Sequence, residues 1–292
     1  MRALITGAGG QVGRELARSC PSTVTLVARE RGELDITDGD AVSQTIAAEK
    51  PDIIINAAAY TAVDRAEEQK EMAFRINRDG AKHLAQAARA NGARLLHIST
   101  DFVFDGNRGT PYKPLDEACP ISVYGSSKYQ GECAILDTLA DRAIILRSAW
   151  VYASHGHNFV KSMLRLMGDR DSIDVVADQT GTPTWARGLA ETIWRLSRTS
   201  GKGGIYHWTD AGIASWYDFA VAIAEEGRNL SLLKQNIKVN PISTQAYPTL
   251  ARRPAYSVLD KEETWSLLGR KSLHWRIALR SMMKELKIDD DT

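Results

Sequence analysis

The chain has 292 residues, 43% hydrophobic and 25% charged, which are ordinary globular values for a protein larger than one minimal domain, and two unequal lobes are expected. A net charge of +1 with both signs intermixed excludes a broad electrostatic footprint for nucleic acid or an anionic membrane, so an anionic ligand has to be held locally. Met1 to Ile5 run directly into Gly7 and no apolar run approaches membrane-spanning length, which predicts neither a signal peptide nor a span and hence a cytoplasmic protein. Cys20, Cys119 and Cys133 are odd in number and scattered, so they read as free thiols, and His155 and His157 lack the acidic or thiol company of a metal site.

Arg2 to Thr6 is a short apolar strand, followed by Gly7, Gly10 and Gly13 and then by a helix from Arg14. In such a strand, glycine turn and helix, Gly7 allows the tight turn, Gly10 the approach of backbone N–H groups to a pyrophosphate, and Gly13 close packing of helix on strand. The pattern predicts dinucleotide binding. A second strand, 23–27, ends in Ala28, Arg29, Glu30 and Arg31, where Arg29 and Arg31 suit a 2′-phosphate and so favour NADPH, with NADH as the alternative. Asp35 is a candidate partner for an adenine amino group, and Asp38 is placed to cap a helix running to Glu49.

Ile53 to Asn56 continue an apolar strand into small residues that let a cofactor lie close. A short helix at 63–69, a long one at 74–90 and a strand at 94–99 ending in Thr100 and Asp101 follow. This alternation predicts a doubly wound parallel α/β sheet of Rossmann type, in which ligands gather at the carboxyl ends of the strands, near Gly7, Ala58, Thr100 and Arg147. A turn-rich loop, 107–120, delivers the chain to a helix at 123–139 that carries Tyr124 and Lys128. Four residues apart on a helix, phenol and ammonium share a face, and the positive charge is expected to lower the Tyr124 pKa toward a value useful for proton transfer.

Strand 143–147 leads to Trp150 and Tyr152, which suit either the core or a sugar. Beyond residue 153 the pattern becomes mainly helical, with helices at 158–167, 185–198, 215–228 and 272–286 and strands at 173–176 and 204–208. Residues 241–257 show little regular pattern but hold Arg252, Arg253 and Pro254, a pair of guanidinium groups suited to a diphosphate or to solvent. The expected division is a dinucleotide-binding domain at 1–152, joined by elements around 183–208, and a smaller, mainly helical substrate-binding lobe in the rest of 153–292. The tail at 289–291 is expected to fray.

Taken together, the glycine turn, Asn56 with Ala57 to Ala59, Ser99 to Gly106, and Tyr124 with Lys128 resemble the extended short-chain dehydrogenase/reductase superfamily. More narrowly, Leu34 to Thr37, Ser148 to Tyr152, Asp178 to Thr184 and Pro248 to Ser257 resemble the dTDP-4-dehydrorhamnose reductase family, nearly end to end. The resemblance implies reduction of the C4 ketone of a dTDP-bound 6-deoxysugar by NADPH. It implies that Gly10, Gln11 and Val12 hold the pyrophosphate, Asp35 and Ile36 the adenine, and Ala59, Tyr60 and Thr61 the ribose side. Thr100, Asp101, Trp150, Gln179 and Arg253 are then substrate residues, with Tyr124, Thr100 and Lys128 catalytic and Lys128 also holding the nicotinamide ribose. Some family members form homodimers with a divalent cation between carboxylates; Glu15 matches one such ligand, but Arg187 stands where acidic company is needed, so no magnesium site is assigned. Two other readings share the superfamily: a nucleotide-sugar epimerase that retains NAD, and a non-catalytic subunit like the regulatory subunit of methionine adenosyltransferase.

Overall fold

Six parallel strands form the central sheet of the computed structural model, which describes residues 1–199 and 203–290. They are β1 (Arg2–Thr6), β2 (Thr25–Arg29), β3 (Ile53–Asn56), β4 (Arg94–Thr100), β5 (Ala143–Ser148) and β6 (Gly204–His207), in the spatial order β6-β5-β4-β3-β1-β2. The order reverses between β1 and β3, and Thr6 lies beside Asn56 at the carboxyl end of that seam. Helices cover both faces. Val42, Ile46, Leu84, Ala85 and Ile135 pack on one side, and Leu16, Leu189, Ile193 and Trp194 on the other, which explains why the strand interiors read as unbroken apolar runs. Part of the C-terminal half returns to this domain: β6 extends the sheet, the Ala186–Leu196 helix covers it, and Trp265 and Leu268 of the Glu262–Leu268 helix pack against the same core.

A second core unites the remaining helices. Val160 and Met167 of the Phe159–Asp169 helix, Phe219 and Ile223 of the Trp216–Asn229 helix, and Leu279 and Met283 of the Trp275–Asp290 helix pack together. A parallel pair, Ser172–Val176 with Lys238–Ile242, borders that lobe. The latter strand lies where the sequence pattern was least regular, since Asn240 and Pro241 interrupt it and its register comes from the distant partner. The long helix expected at 74–90 is divided, with a π turn at Arg75–Gly80 before the helix Ala81–Ala90. The tail expected to fray lies partly outside the described residues. Asp38 accepts hydrogen bonds from the N–H groups of Asp40 and Ala41 as a helix cap.

Candidate active site

At the carboxyl ends of β1, β3, β4 and β5 a cleft of about 1110 Å³ runs from Gly10, Gln11 and Val12 past Ala59 and Thr61 to Thr100, Asp101, Tyr124, Lys128 and Trp150, and out to Gln179 and Arg253. The glycine turn opens it. Gly7 has φ +70, and a Cβ there would lie 2.6 Å from the Ala58 nitrogen, so only glycine admits this crossing of β1 and β3. The Gln11–Arg18 helix begins at Gly10 with no side-chain cap, which leaves its first N–H groups for an anion in the cleft. These features fit a dinucleotide phosphate. Gln11 Oε1 also accepts from Asn158 Nδ2 at 2.9 Å, tying the glycine turn to the second lobe.

The helix Val123–Leu139 carries the candidate reacting groups, and its position is strongly determined. Ser122 caps it by accepting from the Gly125 N–H, and the Val123 N–H donates to Glu67 Oε1 at 2.8 Å. In the helix interior Glu132 forms a fully buried pair with Arg147 of β5, 2.6 Å from Nη2, and accepts from Ser99 of β4. Breaking such a pair costs about 3–5 kcal/mol. Asn77 in the π turn donates to Ser127 Oγ at 3.0 Å, and Ser127 donates to the Tyr124 carbonyl. Gly125 packs directly against the Phe102 carbonyl, where a Cβ has no room.

Tyr124 meets Phe102 edge to face at 5.6 Å and bonds with Thr100. Its phenol is pushed up to about 12 by burial, with Asp101 adding to the rise and Thr100 opposing it. This corrects the expectation that Lys128 lowers the Tyr124 pKa. The Lys128 ammonium is instead drawn to the Ile98 carbonyl at 2.6 Å and to His97 Nε2 at 3.0 Å, and burial brings it down to about 8 while Glu132 opposes that shift. Tyr124 is therefore held as a phenol, the form that can donate a proton. Thr100 Oγ1 bonds to Asp101 Oδ1 at 3.1 Å, and burial raises Asp101 to about 6. Trp150 is held at φ +47 and stacks on Trp216 with ring centroids 3.5 Å apart. Gly181 lies beneath it, where a Cβ would sit 2.7 Å from Cε2 of the indole.

Other sequence-selected residues have partners that local pattern did not reveal. Arg29 donates to Glu49 Oε1 at 2.6 Å and lies near Glu33, so the guanidinium expected to meet a 2′-phosphate already has carboxylate partners. Glu30 stands beside the glycine turn, its carboxyl 3.1 Å from where a Gly9 Cβ would be. Asp35 accepts the Thr37 N–H in a local turn, which with Arg31 and Arg75 nearby holds its carboxyl below the ordinary value, and Ile36 is buried beside the Gly80 backbone. Tyr60 is fixed by Asn77 through both backbone groups, and its hydroxyl donates to Gln69, so its polar groups are already engaged within the protein. Arg253 Nη2 is 2.6 Å from Asp64 Oδ2, and Asp64 Oδ1 accepts the Ala251 N–H. Gln179 donates to Thr244 at 3.1 Å. Arg187 lies between Glu15 and Glu285, and His155 completes the shell of Glu15, so a guanidinium occupies the place among these carboxylates that a cation would need.

Comparison with known proteins agrees with this geometry. A family model described as the RmlD substrate binding domain matches residues 1–288. A dTDP-4-dehydrorhamnose reductase of Aggregatibacter actinomycetemcomitans is 44% identical over 288 residues, covering 96% of this chain and 98% of the relative. Among solved structures, a dTDP-4-dehydrorhamnose reductase from Clostridium acetobutylicum is 39% identical with a TM-score of 0.91, covering 98% of this chain and 100% of that one. Another from Bacillus anthracis, in complex with NADP, is 37% identical with a TM-score of 0.91, covering 97% and 99%. With full-length matches of this identity around an intact Thr100, Tyr124 and Lys128, the chain belongs to the dTDP-4-dehydrorhamnose reductase family.

Proposed function

We propose that this protein reduces the C4 ketone of dTDP-4-dehydro-L-rhamnose to give dTDP-L-rhamnose, the last step in making that sugar nucleotide, with NADPH as reductant. The observation that carries the reading is the convergence of Thr100, Tyr124 and Lys128 at the middle of a cleft with an uncapped helix N-terminus at one end and Arg253 at the other. NADPH, when bound, supplies the hydride. The N–H groups of Gln11 and Val12 hold its pyrophosphate, and the backbone of Ala59 to Thr61 borders its ribose side. Tyr124 gives its phenolic proton to the oxygen that becomes the C4 hydroxyl, and Thr100 orients that phenol. Asp101 and Trp150 define the sugar's position, Gln179 braces the loop beside it, and Arg253 faces the diphosphate. No residue attacks covalently.

The division of labour follows: the sheet domain serves the cofactor and the lobe built on the second core, with 241–257, serves the substrate. No described helix is long and apolar enough to cross a membrane, which supports a cytoplasmic site of action alongside soluble nucleotide sugars. A homodimer is the assembly implied by family resemblance, and sedimentation equilibrium tests it. The function itself is tested by following NADPH absorbance with dTDP-4-dehydro-L-rhamnose against other nucleotide ketosugars. Turnover with that substrate above the others is expected. Tightly retained NAD with no net consumption of NADPH would assign an epimerase instead, and no turnover with any ketosugar would assign a regulatory protein.

A further inference from the structure

Along the carboxyl edge of the sheet the serine and threonine hydroxyls find partners within the protein, with one exception. Thr6 at the end of β1 donates to Asn56 Oδ1 at 2.8 Å. On β4, Ser99 donates to Glu132 and Thr100 to Asp101 Oδ1 at 3.1 Å. Ser148, the last residue of β5, differs: it is 4% exposed, it lines the cleft, and its Oγ has no hydrogen-bonding partner among the described residues. A buried hydroxyl left unpaired costs free energy, and in a binding cleft a ligand can supply the missing bond. Register tells where this hydroxyl points. Ser99 pairs with Arg147, and Thr100 with Ser148, across β4 and β5. Paired residues of a parallel ladder leave the sheet on the same side, about 4.8 Å apart, and successive residues leave on opposite sides. Ser99 and Arg147 accordingly both reach Glu132 of the Val123–Leu139 helix. Thr100 and Ser148 share the other direction, and Thr100 bonds with Tyr124 in the cleft.

Two ligand groups could meet Ser148, the cofactor's ring and the sugar. In the function proposed above the pyrophosphate belongs to the Gln11 and Val12 N–H groups beyond β1, and the ribose side to Ala59 to Thr61 beyond β3. The next strands in the sheet order, β4 and β5, are then left for the nicotinamide. Its carboxamide sits beside the ring carbon that gives the hydride, in the half of the ring remote from the ribose. With the ribose at β3 and the reacting carbon at Tyr124, the carboxamide is directed on toward β5 and not back toward β3. The chemistry agrees. An amide both donates and accepts, as a serine hydroxyl does, whereas the other unpartnered buried atom among the cleft-lining residues, Asp101 Oδ2, only accepts when ionised and suits a sugar hydroxyl. We propose that Ser148 is a further cofactor-binding residue, whose hydroxyl bonds the nicotinamide carboxamide and so holds one face of the ring toward the sugar. The inference deepens the reductase reading and rests on it for the identity of the cofactor.

The test measures binding, so it does not depend on which sugar is the substrate. Titration calorimetry on the full chain compares three ligands in wild type and Ser148→Ala: NADP, its analogue with an unsubstituted pyridinium ring, and 2′-phosphoadenosine diphosphoribose, which has no nicotinamide. One neutral hydrogen bond corresponds to about two- to tenfold in a dissociation constant. Ser148→Ala should weaken NADP by that factor and leave the other two ligands unchanged, because neither offers the hydroxyl a carboxamide. Equal losses for NADP and the pyridinium analogue overturn the proposal, and so does an unchanged NADP affinity; if KM for the ketosugar rises in that second case, the hydroxyl belongs to the sugar. Ser148→Cys, close in volume and weak as a hydrogen-bonding group, carries the same comparison if Ser148→Ala does not fold. If binding follows the expected pattern while no ketosugar is reduced, the reductase reading fails and the Ser148 assignment stands. If NADP does not bind at all, both fail.

Discussion

Arg253 and Asp64 offer the most direct test of how the substrate end of the cleft is built. The guanidinium is 23% exposed and the carboxylate 40%, and the Asp64 carboxylate holds two donors, Arg253 Nη2 and the Ala251 N–H. On the other side Pro254 packs against Gly106, where a Cβ would lie 2.5 Å from the proline Cβ. Arg253 is therefore clamped at the cleft wall, with Asp64 using one of its five donors. A charged hydrogen bond to the substrate diphosphate is worth about 1.5–3 kcal/mol, and the partial exposure argues for the lower half, about 2 kcal/mol, or roughly thirtyfold in KM. The diphosphate is remote from the ketone, so the contact is the same in ground state and transition state and kcat should change little.

Asp64→Ala removes only the support, an exposed pair worth up to about 1 kcal/mol, and should raise KM by about fivefold. The double variant should be no worse than Arg253→Ala alone, because a residue acting only through Arg253 has nothing left to position. Steady-state kinetics with varied sugar nucleotide and saturating NADPH, together with the NADPH dissociation constant by fluorescence, measure all four corners. A lower KM in Asp64→Ala would show that the carboxylate competes with the diphosphate instead of presenting the arginine. Additive losses would show that Asp64 touches the substrate itself, and a loss of NADPH affinity in Arg253→Ala would refute the assignment of this segment to substrate.

Tyr124→Phe should retain NADPH binding and lose about 10²- to 10⁴-fold in kcat; near-normal turnover would remove the phenol from the reaction. Gly181→Ala should displace the Trp150 indole from its stack on Trp216, raising KM for the sugar and altering tryptophan fluorescence, and an unchanged KM would separate Trp150 from substrate binding. Asp101→Asn should stabilise the fold at the expense of activity: a buried carboxyl titrating at about 6 in place of its ordinary 3.8 disfavours folding once ionised, by about 3 kcal/mol. That penalty is absent below pH 3.8, grows between pH 3.8 and 6 and is complete above, so melting curves of wild type and variant should coincide near pH 3.5 and diverge toward pH 8. Arg29→Ala should weaken NADPH and NADH binding equally, since Arg29 is engaged by Glu49; a loss confined to NADPH would return it to the 2′-phosphate.

The parts of this molecule that are legible in sequence are those whose cause is local. A cap at Asp38, the glycine turn at Gly7, and the helix Val123–Leu139 with Tyr124 and Lys128 on one face all follow from neighbours a few residues away. The π turn at Arg75–Gly80 escaped because its sequence is compatible with a continuous helix; what marks it in space is Asn77, which bonds to Tyr60 and Ser127 at once. The strand Lys238–Ile242 escaped because its partner is Ser172–Val176 and its own pattern is broken by Pro241. Gly125 and Gly181 read as unremarkable glycines until the Phe102 carbonyl and the Trp150 indole are seen against them.

The same distinction explains why spacing brings the candidate residues to one cleft without giving their electrostatics. Spacing puts Lys128 on the face of Tyr124, and from spacing alone the ammonium acts on the phenol. The sheet supplies what spacing lacks: β4 presents the Ile98 carbonyl and His97 to the inner side of the helix, and β3 presents Asn56 to His97. Lys128 therefore answers first to β4, which β3 braces through Asn56 and His97, and only then to its helical neighbour. Arg29 and Arg253 repeat the pattern, each chosen as a free cation for a phosphate and each found with a carboxylate distant in sequence, Glu49 and Asp64. The two differ in consequence. Glu49 lies outside the cleft-lining residues and withdraws Arg29 from ligand, whereas Asp64 lines the cleft with Arg253 and fixes it there. A cation's partner thus decides whether it is a binding group, and that partner is set by which strand ends and helix starts the parallel sheet brings to one edge.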